Sequence, residues 1–346
     1  MPLPNDFTEN QLRELANLRQ YYLVWRNTKI ERIDLNFRLS WERRGEKEYL
    51  YKRSGKTGDG TSLGARSAET EEMYRLHMEA KDSAQQRLIG TSAVLDESAR
   101  ICAALGLGLF PNQAAKILRA ADLDGVLGTR YMVVGTNTML PYELEAGHRF
   151  AFGLEATKDF DLAFTGGVTT FAVNHAKEKS TTLFEILKQI DATYTKNTER
   201  GFQAVNRHGF EVELLAAPSV IDSLAPNEVL TPLPSLPEQE WLLLGKPIFH
   251  VVCAVDKSPV PIVVPDPRWM GLHKLWLSQK PERTKLKVAK DARQGLLLLT
   301  AVRDFMPHYP MDSEFENELP KELRPHYDHW RRTAPPTEVL PGWANE

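Results

Sequence analysis

YMVVGTNTMLPYELEAGHRFAFGLEATKDFDLAF, residues Tyr131 to Phe164, places an apolar strand, a Gly-Thr turn, a helix and an acid-bearing strand in succession. Its last segment carries Asp159 and Asp161, two residues apart. In an extended strand alternate residues share a face and each rises about 3.3 Å, so the two carboxylates project side by side with bases roughly 6.6 Å apart. Phe160, Leu162 and Phe164 take the opposite face, which leaves the strand apolar behind and acidic in front. That spacing suits a pair of hard cations. It also suits plain solvation, because the mutual repulsion is only about 0.6 kcal/mol in water, against about 2.5 kcal/mol at an effective dielectric near 20. What the pair means therefore depends on its neighbours in the chain.

Downstream, TTLFEILKQI predicts an amphipathic helix, and GFQAVNRHGFEVELLAA predicts two strands around an Asn-Arg-His-Gly turn. In the second strand Glu211, Glu213 and Leu215 share one face and Phe210, Val212 and Leu214 the other. A third carboxylate thus follows the first two; Glu213 is flanked by Val212 and Leu214, and Glu211 is its rival on the same face. The Pro-rich SLAPNEVLTPLPSLPEQE marks a loop or junction. After it come short buried strands in EWLLLGKPIFHVVCAVDKSPVPIVVPDP, then helices over RWMGLHKLWLSQ, from about Pro281 to Asp304, and near Pro320 to Arg332. Lys287, Lys290, Asp291 and Gln294 fall at helical spacing within the second of these.

Upstream, Leu12, Leu15, Ala16, Tyr22 and Leu23 predict an amphipathic helix from Thr8, its N-cap, to about Arg26. LNFRLSWERRGEKEYLYKRSG reads as a hairpin about Gly45. KRSGKTGDGTSLGAR reads as a connecting loop whose Lys52, Arg53, Lys56 and Arg66 are solvated or touch phosphates; it lacks the GxxxxGK[ST] order of a P-loop. A long helical stretch from Ser67 to about Leu105 follows, with Gly90 and Thr91 as a break point, and NQAAKILRAADL forms a short helix after Pro111.

The 346 residues carry 43 Lys and Arg against 46 Asp and Glu, a net charge of −3, so charge alone gives no case for nucleic-acid or membrane attraction. Cys102 and Cys253 have no CxxC partner spacing, which excludes a zinc knuckle and a disulfide framework and fits a reducing compartment. His208, His250 and His273 show no zinc-ligand spacing and read as packing or hydrogen-bonding residues. There is no basic-then-apolar leader and no apolar run near the ~20 residues that span a bilayer. The expectation is a soluble, cytoplasmic protein with no membrane partner.

The order VVGTNT, TKDFDLAF, FEVELL resembles the nucleotidyltransferases of the DNA polymerase beta superfamily, in particular the stand-alone bacterial members with a GTN turn, a T-x-D-h-D strand and a later HKL helix. The resemblance extends over roughly residues 125–300, and YLYKRS and SLGARSAETE upstream also look like that subfamily. It implies an α+β fold: a helical and hairpin extension over 1–125, a polymerase-beta-like mixed-sheet core over 126–235 and a strand and helical region over 236–346. It further implies transfer of a nucleoside monophosphate from a ribo- or deoxyribonucleoside triphosphate to an acceptor hydroxyl, with Asp159, Asp161 and Glu213 as catalytic ligands of two Mg²⁺, or Mn²⁺. Gly135, Thr136, Asn137, Lys158 and Lys274 would meet the nucleotide. The acceptor is open among a nucleic-acid 3′ end, a nucleotide, a small molecule and a protein. Three departures stand out: Glu at the third acid where many members carry Asp, Thr where the turn signature has Ser, and a long gap from Thr136 to Asp159 that implies an extended helix and an inserted strand in RFAFG. The alternative is a regulatory module that keeps the fold and binds nucleotides without turnover.

Overall fold

The computed structural model describes residues 6–53, 60–107, 110–150, 159–167, 181–232 and 236–334. The chain divides into two compact units, one of Ala16–Ile101 and one of Met1–Leu15 with Cys102–Glu346. Among the described residues no helix is long and apolar enough to cross a membrane.

The smaller unit holds most of α1 (Glu9–Asp34), β1 (Arg38–Arg44), β2 (Lys47–Arg53), β3 (Gly60–Ala65) and most of α2 (Ala68–Ala104). Gly45, at φ +64°, turns β1 into β2 in antiparallel register. Two sequence expectations need correction here. Gly60–Ala65, read as loop, is a third strand paired with β2; its Gly, Ser and Thr residues are largely exposed and show no apolar alternation, so backbone pairing makes this strand. Nor is there a break at Gly90, because α2 runs unbroken for 37 residues. A lone helical glycine costs only about 1 kcal/mol relative to alanine. Trp25 donates to Ser92 Oγ at 3.2 Å and Arg32 to Gln85 at 2.9 Å, tying the two helices together within the unit. The basic residues considered for phosphate contact have local partners: Arg53 pairs with Glu42, Arg66 with Glu48 at 2.6 Å and Glu71 at 2.8 Å, and Lys52 lies over the Phe37 ring. Lys56 is outside the described residues.

The larger unit is built on a mixed five-stranded sheet in the order β4 (Tyr131–Val133), β5 (Asp159–Phe164), β8 (Glu211–Ala216), β7 (Gln203–Val205), β6 (Thr195–Lys196). Among its described strands only the β5–β8 pair is parallel. The hairpin of β7 and β8 turns where Asn206 Oδ1 accepts from His208 N and Phe210 N and Gly209 takes φ +72°. Helices α3 (Asn112–Leu123), α4 (Met139–Ala146) and α5 (Leu183–Ile190) accompany the sheet, and α5 opens on a complete Thr182–Glu185 capping box. A separate antiparallel pair, β9 (Ile248–Cys253) and β10 (Pro259–Val264), is buried along nearly its whole length. Cys253 is hydrogen-bonded to Cys102, and both are buried thiols that form no disulfide.

Helices α6 (Pro267–Leu277) and α7 (Lys285–Phe305) meet through glycine: a Cβ on Gly271 would lie 2.8 Å from the Leu299 side chain, and one on Gly295 2.8 Å from the Gly271 carbonyl oxygen. Trp241, Trp269, Leu272, Leu275 and Leu299 pack around this crossing with residues of the last two helices, α8 (Ser313–Glu318) and α9 (Arg324–Thr333). The close approach brings charged residues of α6 and α7 face to face.

Candidate active site

Two parallel strands with a period of two must set their alternate residues level. In β5 and β8 the register pairs Asp161 with Glu213 and Asp159 with Glu211, while Phe160, Leu162, Val212 and Leu214 are fully buried behind them. Asp159, Asp161 and Glu213 line one pocket, and Glu211 is not part of its lining. Burial raises the Asp161 carboxyl above its ordinary value, with Lys274 opposing and Asp159 adding to the rise. The same pressure, burial first and then Asp161 and Asp159, pushes Glu213 up to about 7.

Gln203 holds this acidic wall from β7, where it sits directly opposite Glu213. Its Nε2 donates to Glu211 at 3.0 Å and to Glu213 at 3.1 Å, and its Oε1 accepts from Asn197 Nδ2 at 2.6 Å, which fixes the amide orientation. Gln203 belongs to no motif, although a hairpin register counted outward from the Asn206 turn places it across from Glu213.

The Gly-Thr turn closes the pocket from β4. Val134 N donates to Asp161 O at 3.0 Å, and the chain then turns at Gly135, φ +72°. A Cβ on Gly135 would stand 2.1 Å from Asp161 Oδ2, so any side chain here would displace the carboxylate. Thr138 Oγ1 donates to Gly135 O at 2.8 Å, holding the 3₁₀ turn Gly135–Thr138 that leads into α4. Thr136 lines the pocket, whereas Asn137 is buried outside the lining and gives its amide to Asp159 O at 3.3 Å.

Across from the acids, α6, α7 and the segment between them supply Lys274, Arg283, Lys287 and Lys290 to the lining. Lys274 is 3% exposed and pairs with Asp291 at 3.0 Å; Arg283 takes the other Asp291 oxygen at 2.7 Å. Lys287 forms no ion pair among the described residues but acts through space to lower the pKa values of Asp161 and Glu213. Burial, then the charge of Lys274, holds Lys290 below the ordinary lysine value. Gln294 is fully buried and lies outside the lining. Lys158 and most of RFAFG lie outside the described residues.

The donors on the acidic wall are carboxylate oxygens alone, the set that Mg²⁺ and Mn²⁺ prefer. In kind they fit such ions, and like charges held this close are relieved by a cation. Among the described residues, no three or more His, Cys, Asp or Glu side chains converge as a finished metal-holding group.

A family model described as nucleotidyltransferase matches residues 112–319, a span that includes every residue of this pocket. No curated protein and no solved structure gives a significant match.

Proposed function

Because the chain belongs to the nucleotidyltransferase family matched over residues 112–319, we propose that this pocket is the active site of a metal-dependent enzyme with the core of the polymerase beta superfamily. An acceptor hydroxyl oxygen bonds to the α-phosphorus of a nucleoside triphosphate, the bond from that phosphorus to the oxygen bridging to the β-phosphate breaks, and pyrophosphate leaves. The observation that carries this reading is the parallel register setting Asp161 beside Glu213. Gly135 closing on Asp161 and the cationic wall of the same pocket support it.

Transfer of this kind asks a protein for positioning and for neutralisation of charge. Asp159, Asp161 and Glu213 would hold two Mg²⁺ or Mn²⁺, which when bound offset charge on the attacking and leaving oxygens. A Glu213 carboxylate oxygen takes the proton of the acceptor hydroxyl. Lys287 and Lys290 draw the triphosphate, and the turn at Gly135 and Thr136 meets it with backbone N–H groups. Lys274 acts mainly by closing α6 on α7, since its charge is engaged by Asp291.

The test is incubation with each labelled NTP and dNTP, Mg²⁺ or Mn²⁺, and tRNA, DNA, nucleotide and protein acceptors. Label in one acceptor with matching pyrophosphate supports the reading and names the acceptor. Saturable nucleotide binding with no pyrophosphate in any arm overturns turnover in favour of a regulatory nucleotide-binding module.

A further inference from the structure

One wall of the pocket belongs to neither charged set. The 3₁₀ helix Pro237–Leu243 and the residue before it place Leu236, Gln239 and Leu242 three apart, the period of such a helix, and all three line the pocket. On α6 the lining residues Met270, His273 and Leu277 recur at three and then four, which is one face of an α-helix. Two apolar stripes therefore each carry one neutral polar residue in the middle, and Glu238, beside Gln239, adds a carboxylate to the lining. Trp241 meets the His273 ring edge-on with centroids 6.4 Å apart, linking the two segments.

Neither polar residue is satisfied. His273 is 4% exposed and neither ring nitrogen has a hydrogen-bond partner; Gln239 is 6% exposed and its Oε1 has none. Leaving a buried group of this kind unmet is costly, and nearly all such groups in folded proteins are paired. Burial, with the charge of Lys274 adding, takes His273 down to about 3, so the ring is neutral and presents one N–H and one lone pair. A phosphate is all acceptor and belongs with the lysines. A nucleobase has flat apolar faces and a donor and acceptor edge, which is what four aliphatic side chains interrupted by a neutral imidazole and an amide oxygen would receive.

We propose that this wall is the base-reading subsite: the base of the nucleoside triphosphate lies against Leu236, Leu242, Met270 and Leu277, and His273 and Gln239 hydrogen-bond its edge and set the preference among nucleotides. The assignment rests on the nucleotidyltransferase reading and adds its specificity residues. For His273, whose spacing reads as packing or hydrogen bonding and not as zinc ligation, it supplies the hydrogen-bond partner.

The experiment compares kcat/KM for the four NTPs and four dNTPs in wild type, His273→Leu and Gln239→Leu, with thermal melts alongside. Wild type is expected to prefer its best base by tenfold or more, and each variant to compress that ratio toward about threefold through KM, with an unchanged or higher melting temperature. Base ratios left intact in the folded variants overturn the subsite while leaving the nucleotidyl reading standing. A change confined to the ribo-against-deoxy ratio overturns it in favour of a sugar contact. Equal use of all bases by wild type also overturns it. If wild type binds no NTP, the nucleotidyl reading falls and this assignment with it. A second measurement needs no variant that folds: the His273 ring ¹⁵N resonances of the intact wild-type protein should shift with the preferred NTP and not with inorganic triphosphate. The same response to both would overturn the subsite.

Discussion

The two charged walls of the pocket follow opposite electrostatic plans. On β5 and β8, Asp161 and Glu213 are level in the register, the charges of Asp161 and Asp159 both push Glu213 up, and one amide, Gln203, ties Glu213 down. On α6 and α7 the charge closes on itself: Lys274 and Arg283 share Asp291, and all three are at least partly buried. The acidic wall is left wanting positive charge, and the basic wall has folded much of its own away. Substitution should therefore damage function on one side and stability on the other.

The largest expected effect is on the acidic wall. Asp161→Asn should lower pyrophosphate release by about 10³-fold or more, while its melting temperature in chelator-treated buffer equals or exceeds that of wild type, because a like charge has been removed. Undiminished turnover in the folded variant would sink the assignment. If Glu211→Gln inactivates and Glu213→Gln does not, the third acid is Glu211.

On the basic wall the order of effects reverses. Asp291→Asn leaves Lys274 buried without its counter-charge, a loss of about 3–5 kcal/mol by analogy with broken buried pairs. Urea unfolding measures it, and the double variant Lys274→Met, Asp291→Leu should recover much of the loss. A midpoint unchanged by Asp291→Asn would mean that Lys274 is not held there for stability.

This asymmetry marks the limit of what the sequence made legible. The acid strands and the Gly-Thr turn could be read because a period of two and a positive-φ glycine are local signals, and the β7–β8 hairpin followed from its Asn-Arg-His-Gly turn. Residues that matter through distant partners could not be. The resemblance singles out Lys274 as a nucleotide contact, but its pairing with Asp291 exists only because Gly271 and Gly295 bring α7 within reach. Gln203 carries no motif, and its role exists only in the register opposite Glu213. Strand β3 is not legible in the sequence because its exposed Gly, Ser and Thr residues leave no hydrophobic pattern.

A smaller effect separates the two kinds of lysine. Lys287 makes no ion pair among the described residues, so Lys287→Met should raise KM for the nucleoside triphosphate about tenfold with little change in melting temperature. Lys274→Met should instead show its main effect in stability. If both variants behave alike in both measurements, the division of the basic wall into a triphosphate-facing and a structural part is wrong.

The smallest effect tests the stored repulsion itself, in the metal-free protein. Burial, then the charges of Asp161 and Asp159, push Glu213 up to about 7 in the fold, from an ordinary carboxyl value of 4.5. Between those values the folded state holds the proton more tightly than the unfolded chain, so raising the pH favours unfolding. The penalty is absent below about 4.5, grows through the window and is complete above about 7. Glu213→Gln cannot ionise and escapes it. The melting temperature of the variant minus that of wild type should rise from pH 4.5 to 7 and then level. The rise should be on the order of 2 °C, allowing for water that reaches this partly exposed carboxyl. Mg²⁺ should shrink the rise by holding the carboxylates in their charged form. A difference flat with pH and indifferent to Mg²⁺ would mean that the acidic wall is an ordinary solvated face, and the contrast between the two walls would lose its chemical meaning.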